Sequence, residues 1–260
     1  MCTVTFIARR SGYCLGMNRD EKLTRHTGLP PTKKRLNGRV VVSPSEPGGG
    51  TWIALNDSGA CLALINWYSA KRSVAHDPMS RGEVVKTVCA VDSHEVVDAK
   101  LHSLPLERIN PFRLIGIFPG IKEIVEWRWN LKCLVRKKCP WKSQQWISSG
   151  FDEPTAHRVR GRTFFCALQK HSISRLDELR RLHGSHSPQR GPFSTCMHRT
   201  DAATVSYSEI AVSRRSANMR YLTGPPCRLL SRLKQRGSAS EVSTLLMRIS
   251  TTIQGQRDRR

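Results

Sequence analysis

Apolar and polar positions alternate with a period of two in the first third of the chain, the signature of half-buried strands. "CTVTFIA" and "GYCLGMN" flank the turn-forming "RRSG", and "GTWIALN" and "ACLALINWY" flank "DSG", so two hairpins are expected. Between them, "LPPTKKRLNGRVVVSPSEPGGG" is rich in proline and glycine and reads as a loop around one short strand. The segment Ala60–Ile65 is apolar on both of its alternating faces, which places it inside a layered structure. Over residues 82–102 the period lengthens: Val84, Val85, Val88 and Val91, then Val96, Val97 and Leu101, fall at helical spacing, with Asp92 or Ser93 available as a cap. Strands return in "NPFRLIGIFPG" and "KEIVEWRWNLKCLVRKKCPW", helices over Glu153–Gln169 and Arg175–Leu182, and strands again in "STCMHRTDAATVSYSEIAV" and "NMRYLT". This order predicts an α+β fold in which sheets pack face to face with helices outside, a four-layer αββα sandwich.

The pattern changes after Cys227. Ser240 is placed to cap a short helix with Val242, Leu245, Leu246, Ile249 and Ile253 on one face. The expected organisation is therefore one domain over residues 1–227 and a basic appendage over residues 228–260, helical or disordered, contributing little to the core.

Charge adds a separate constraint. The 43 Lys and Arg against 20 Asp and Glu give a net charge of +23. Such a field attracts polyanions without specifying a fold. The runs "LVRKKCPWK", which interleaves basic residues with Trp141, and "HRVRGR" raise a polyanion-binding reading, but no nucleic-acid motif accompanies them, and solvated faces are expected. The basic tail suits weak binding to an anionic surface. The nine cysteines are scattered and odd in number, and "MCTVTFIARR" lacks a basic leader, so a reduced, cytoplasmic protein is expected. No CxxC pair occurs, and Cys133 with Cys139 lacks nearby histidines, so neither a metal site nor a cofactor is expected.

Candidate chemistry gathers at the first hairpin. If Met1 is removed, Cys2 carries a thiol and a free α-amine on one residue, and the amine can act as base for its own side chain. On the second strand, period two puts Cys14, Gly16, Asn18 and Asp20 on one face and Leu15, Met17 and Arg19 on the other. Asn18 and Asp20 are expected to wall a pocket beside Cys2, with Asp20 orienting the amine. Asn66 is expected to donate to a developing oxyanion. Arg19 is expected on the opposite face or at the rim, pairing with Glu21 or binding a ligand carboxylate.

"MC" at the start, "NRDE" after the second strand, "GGGTWIALN" and "LIN" together resemble the NRDE family, also called the transport and Golgi organisation type two family. The resemblance extends over residues 1–227 and is most specific in Met1–Tyr68. That family is similar to N-terminal-nucleophile (Ntn) hydrolases, and the layout resembles cholylglycine hydrolases and penicillin V acylases, which begin at a nucleophilic cysteine. The resemblance implies that Cys2 is the nucleophile, Asn18 a site wall, Asp20 the amine-orienting carboxylate and Asn66 an oxyanion donor. Met17 stands where those acylases have arginine, and Ser148-Ser149-Gly150 where they have a second oxyanion asparagine, leaving the Gly150 backbone N–H as a substitute. The expected function is hydrolysis of a non-peptide amide or acyl bond in a small ligand. The alternative is a non-catalytic carrier for haem or a lipid-like acyl ligand.

Overall fold

The computed structural model describes residues 1–169, 176–228 and 244–250. The first hairpin is β1 (Cys2–Arg9) and β2 (Gly12–Lys22), turning at Arg10-Ser11. β1 also pairs antiparallel with β10 (Gln144–Ser148), and β2 with β11 (Ala202–Val212). With β12 (Ser216–Thr223) and β13 (Thr244–Ser250) they form a six-stranded sheet in the order β10-β1-β2-β11-β12-β13.

The second sheet has seven strands in sequence order: β3 (Leu29–Leu36), β4 (Arg39–Ser45), β5 (Ile53–Asn56), β6 (Cys61–Asn66), β7 (Phe112–Phe118), β8 (Glu123–Trp129) and β9 (Leu134–Cys139). The two-faced apolar segment becomes β6, the middle strand. Its Cys61, Ala63 and Ile65 pack between the sheets against Val4, Phe6, Leu15 and Met17. Its Leu62 and Leu64 pack outward against Val84, Val85, Val88 and Leu101. These last residues lie on α1 (Gly82–Val88) and α2 (His94–His102), the latter capped by Ser93, whose side chain accepts from the Val96 N–H.

On the outer face of the first sheet, α3 (Glu153–Gln169) and α4 (Leu176–His183) bring Phe164, Leu179 and Leu182 onto Ile7 and Cys14. The result is four layers, helix–sheet–sheet–helix. Among the described residues, no helix is long and apolar enough to cross a membrane.

Two expectations are corrected here. The "LPPTKKRLNGR" stretch is a second strand, not loop: β3 and β4 form a hairpin whose Asn37 (φ 49°) and Gly38 (φ 78°) both take left-handed backbone, the conformation an Asn-Gly turn favours. Pro30 and Pro31 are tolerated because β3 is an edge strand with an irregular register there. In the tail, Thr244–Ser250 is neither helix nor disorder. It pairs along β12, and Ile249 is buried in the core between the sheets. Leu245, Leu246 and Ile249 therefore follow strand alternation; Ser240, Val242 and Ile253 lie outside the described residues.

The basic runs have structural positions. "LVRKKC" is the other edge strand, β9, and its Arg136 and Lys138 pair with Asp98 and Glu123. Charged side chains along an edge deter pairing with another chain. In "HRVRGR", Arg160 is not on a solvated face at all but fully buried.

Candidate active site

Cys2 opens β1 and sits directly across from Arg19 of β2, with Ser148 of β10 on its other side. Residues directly opposite each other in an antiparallel pair share a face. Cys2, Val4 and Phe6 therefore lie with Tyr13, Leu15, Met17 and Arg19, toward the space between the sheets. Thr3, Gly16, Asn18 and Asp20 face the helices. The expected alternation on β2 is present, but its phase relative to Cys2 is the reverse of what was expected. Arg19, not Asp20, projects to the cysteine's side.

The Asp20 carboxylate is buried beneath the helices. Its Oδ1 accepts from Thr204 Oγ1 at 2.6 Å and its Oδ2 from Arg160 Nη1 at 3.3 Å. The same Arg160 nitrogen donates to Thr3 Oγ1 at 2.7 Å, and Nη2 donates to the Pro192 carbonyl at 3.2 Å. Asp20 still counts among the residues lining the cavity beside Cys2, whereas Asn18 does not. The Asn18 Nδ2 donates to the carbonyls of His183 (2.9 Å) and Thr195 (2.8 Å), and its Oδ1 lies 3.0 Å from His183 Nδ1. These two side chains clamp α3, α4 and the chain after α4 onto β2. Only the main chain of Asp20 reaches the N-terminus: the Met1 ammonium donates to the Asp20 carbonyl at 2.9 Å, and the Asp20 N–H to the Met1 carbonyl at 2.8 Å.

His183 of this clamp is neutral. Burial, reinforced by Arg160, holds its pKa down at about 3 from an ordinary 6.5. An unfolded chain takes up this proton below pH 6.5 and the folded chain does not until about pH 3, so acidification through that window favours unfolding. Stability should fall by up to about 1.4 kcal/mol per pH unit more steeply than in a His183→Gln chain. Parallel stability–pH curves for the two chains between pH 7 and 5 would count against a buried neutral imidazole.

Between the sheet ends lies a cavity of about 270 Å³, lined by Cys2, Arg19, Trp52, Asn66, Arg81 and Asn110 among others. Arg19 is nearly buried and already committed: it donates to Glu46 Oε1 at 2.7 Å and Glu21 Oε2 at 3.4 Å, and its guanidinium lies 4.5 Å from the centre of the Trp52 ring. Arg25 bridges the same two carboxylates, Glu21 at 3.0 Å and Glu46 at 2.7 Å. Burial pushes the Glu21 carboxyl up, but the Met1 ammonium, the Lys22 N–H, Arg25 and Arg19 outweigh it and hold its pKa below the ordinary value.

Arg81, at the N-terminal edge of α1, is the cavity's other guanidinium. It donates to the Pro111 carbonyl at 3.3 Å and, among the described residues, forms no ion pair with a carboxylate. Sequence reasoning missed it, along with Glu46 and Trp52. For Trp52 the adjoining "GGGTW" was a signal; nothing local distinguishes Arg81.

Cys2 is almost fully buried. Burial pushes its thiol pKa up, and Asp20 and Glu21 add to this, against the opposing pull of the Met1 ammonium and Arg19. With Met1 in place the thiol rests protonated. Asn66 lines the same cavity, but its Nδ2 donates to Tyr68 Oη at 2.8 Å. Near the expected second oxyanion donor, the Ser149 N–H donates to Glu153 Oε1 at 3.4 Å, and the Ser149 hydroxyl lies 3.9 Å from the Met1 sulfur. Gly150 packs so closely on the Tyr68 ring that a Cβ there would stand 3.1 Å from it.

Residues 1–125 match the family model for Transport and Golgi organisation 2. No curated protein matches the sequence. Among solved structures, the C2A mutant of a conjugated bile acid hydrolase from Clostridium perfringens aligns with a TM-score of 0.50 at 11% identity, over 84% of this chain and 88% of that one. Penicillin V acylase from Agrobacterium tumefaciens aligns with a TM-score of 0.48 at 10% identity, over 84% and 82%. At such identity the first likeness speaks for the fold alone, an Ntn-hydrolase-like αββα sandwich. The motifs "MC", "NRDE" and "GGGTW" all fall inside residues 1–125, the segment that is similar to the Transport and Golgi organisation 2 family.

Proposed function

We propose that this protein is an Ntn-type hydrolase in which Cys2, freed by removal of Met1, attacks a non-peptide amide or related acyl bond. The observation that carries this reading is the position of Cys2: one residue from the N-terminus, at the open end of a strand, and on the cavity's wall. The α-amine takes the thiol proton as sulfur adds to the acyl carbon. The oxyanion is stabilised by Asn66 Nδ2 once Tyr68 releases it. Collapse breaks the carbon–nitrogen bond, the amine leaves with the proton from the α-ammonium, and water then hydrolyses the thioester.

Arg81 is suited to hold an anionic group of the substrate, because Arg19 is neutralised by its glutamates. A cavity of about 270 Å³ lies just below the range of drug-sized sites and fits a small acyl group.

The second reading is a carrier. A protonated resting thiol, an Asn66 amide engaged by Tyr68 and an Asp20 carboxylate turned from the amine favour a pocket that binds without turnover. Haem or a lipid-like ligand would then extend out of the cavity. Polyanion binding has less support, since Arg136, Lys138 and Arg160 of the basic runs have acidic partners within the fold.

Intact mass of the full-length protein decides first: the hydrolase requires a chain beginning at Cys2. Retained Met1 would remove that reading and leave the carrier. With Cys2 exposed, a panel of N-acyl amides bearing a carboxylate should include one that is hydrolysed by the wild type and not by Cys2→Ala.

A further inference from the structure

Four metal-ligating side chains meet where the chain between α4 and β11 touches the segment after β12. His186, Cys196 and His198 come from the first and Cys227 from the second, and their ligand atoms all lie within 4.8 Å of one another. His198 Nε2 stands 3.6 Å from the sulfur of Cys196 and 3.6 Å from the sulfur of Cys227. The His186 ring meets His198 edge-on at 5.0 Å between centroids, and its Nε2 is buried without a hydrogen-bond partner.

These distances fit one particular chemistry. With zinc–sulfur bonds of about 2.3 Å and zinc–nitrogen bonds of about 2.0–2.1 Å, a tetrahedral site sets its nitrogen and sulfur ligands about 3.5 Å apart. A buried imidazole nitrogen with no partner also carries a desolvation cost that a metal would remove. We propose that His186, Cys196, His198 and Cys227 bind one zinc ion as a closed, four-ligand structural site.

Two thiolates and two imidazoles suit zinc rather than hard cations such as magnesium or calcium. Four protein ligands leave no open position for a substrate or an activated water. Arg190 Nη2 lies 3.3 Å from His198 Nδ1; ligation through Nε2 leaves the ring proton on Nδ1, so Arg190 must turn away as the ion binds.

The ion would fasten the segment after β12 to the very chain that holds the buried clamp. Pro192 and Thr195 accept from Arg160 and Asn18, and Met197 exchanges hydrogen bonds with Thr204, which in turn donates to Asp20. Sequence spacing concealed the site, because Cys227 is separated from the other three ligands by β11 and β12. The sequence reading expects no metal site, and the meeting of these four ligands is the ground for proposing one.

The test is the zinc content of the full-length protein, purified under reducing conditions without chelator. One zinc per chain is expected, retained in Cys133→Ser and lost in Cys227→Ser and His186→Ala. Cobalt added to the metal-stripped wild type should give thiolate charge-transfer and tetrahedral ligand-field bands that saturate at one equivalent. This measurement stands even if the variants fold poorly. A wild type with neither bound zinc nor a cobalt spectrum would overturn the proposal. So would a Cys196–Cys227 disulfide in the protein isolated under reducing conditions.

Discussion

Replacing Arg160 with leucine should destabilise the protein by about 3–5 kcal/mol, the usual consequence of stranding one member of a buried ion pair. Both side chains of the Arg160–Asp20 pair are fully buried, and the guanidinium also ties Thr3 of β1 to Pro192 beyond α4. Losing it leaves the Asp20 charge with Thr204 alone. Asp20→Asn should destabilise as well, and the double variant should lose clearly less than the sum of the two single losses, because each single change strands the other's charge. Chemical denaturation of the four chains measures this. Additive losses, or a stable Arg160→Leu chain, would show that the pair does not hold the helical layer. The result bears on function, because it separates loss of fold from loss of chemistry in any Asp20 variant.

Thiol reactivity supplies the second large effect. With Met1 retained, for instance behind an uncleaved N-terminal extension, Cys2 should be alkylated by iodoacetamide roughly tenfold or more slowly at pH 7 than in the chain beginning at Cys2. Burial raises the thiol pKa in the first form, whereas the second has a free amine beside the sulfur. Within either form the neighbouring charges act in opposite directions. Arg19 draws the thiol pKa down and Asp20 pushes it up, so Arg19→Met should slow alkylation and Asp20→Asn, where folded, should speed it. The expectation from sequence had the opposite sign for Asp20, since it placed that carboxylate beside the amine as an activator. Peptide mapping of the alkylated cysteines against pH reads both effects. Equal rates for Cys2 and exposed Cys133 in the processed chain would remove the case for an activated nucleophile.

The side on which Asp20 lies is legible in the sequence. The turn "RRSG" is a two-residue loop at Arg10-Ser11 that pairs Arg9 with Gly12; counting back along both strands then pairs Cys2 with Arg19. The apolar face agrees as well, since Leu15 and Met17 pair with Phe6 and Val4 on the face of Cys2. The β3–β4 hairpin was similarly announced by Asn37-Gly38, but two prolines and a basic run obscured an edge strand that tolerates both.

Other features had no local signature. Arg160 reads in sequence as one more cation in a basic run, and only the packing of α3 on the first sheet turns it inward to Asp20. Arg81 enters the cavity because β6 and the start of α1 are brought together by the sheet. The tail's apolar residues fit a helix and a strand equally well over so short a span, and the free edge of β12 selected the strand.

The sequence alone determined most of the elements, the four-layer order and the likeness of residues 1–125 to one family, because hydrophobic periodicity and turn chemistry act over a few residues and the motifs lie in one contiguous stretch. Tertiary structure alone decided which residues share a cavity and which ones clamp the helices. It also brought His186, Cys196, His198 and Cys227 together across two intervening strands. Such meetings depend on which sheet edges pair and which faces pack, and these long-range contacts leave no trace in local spacing.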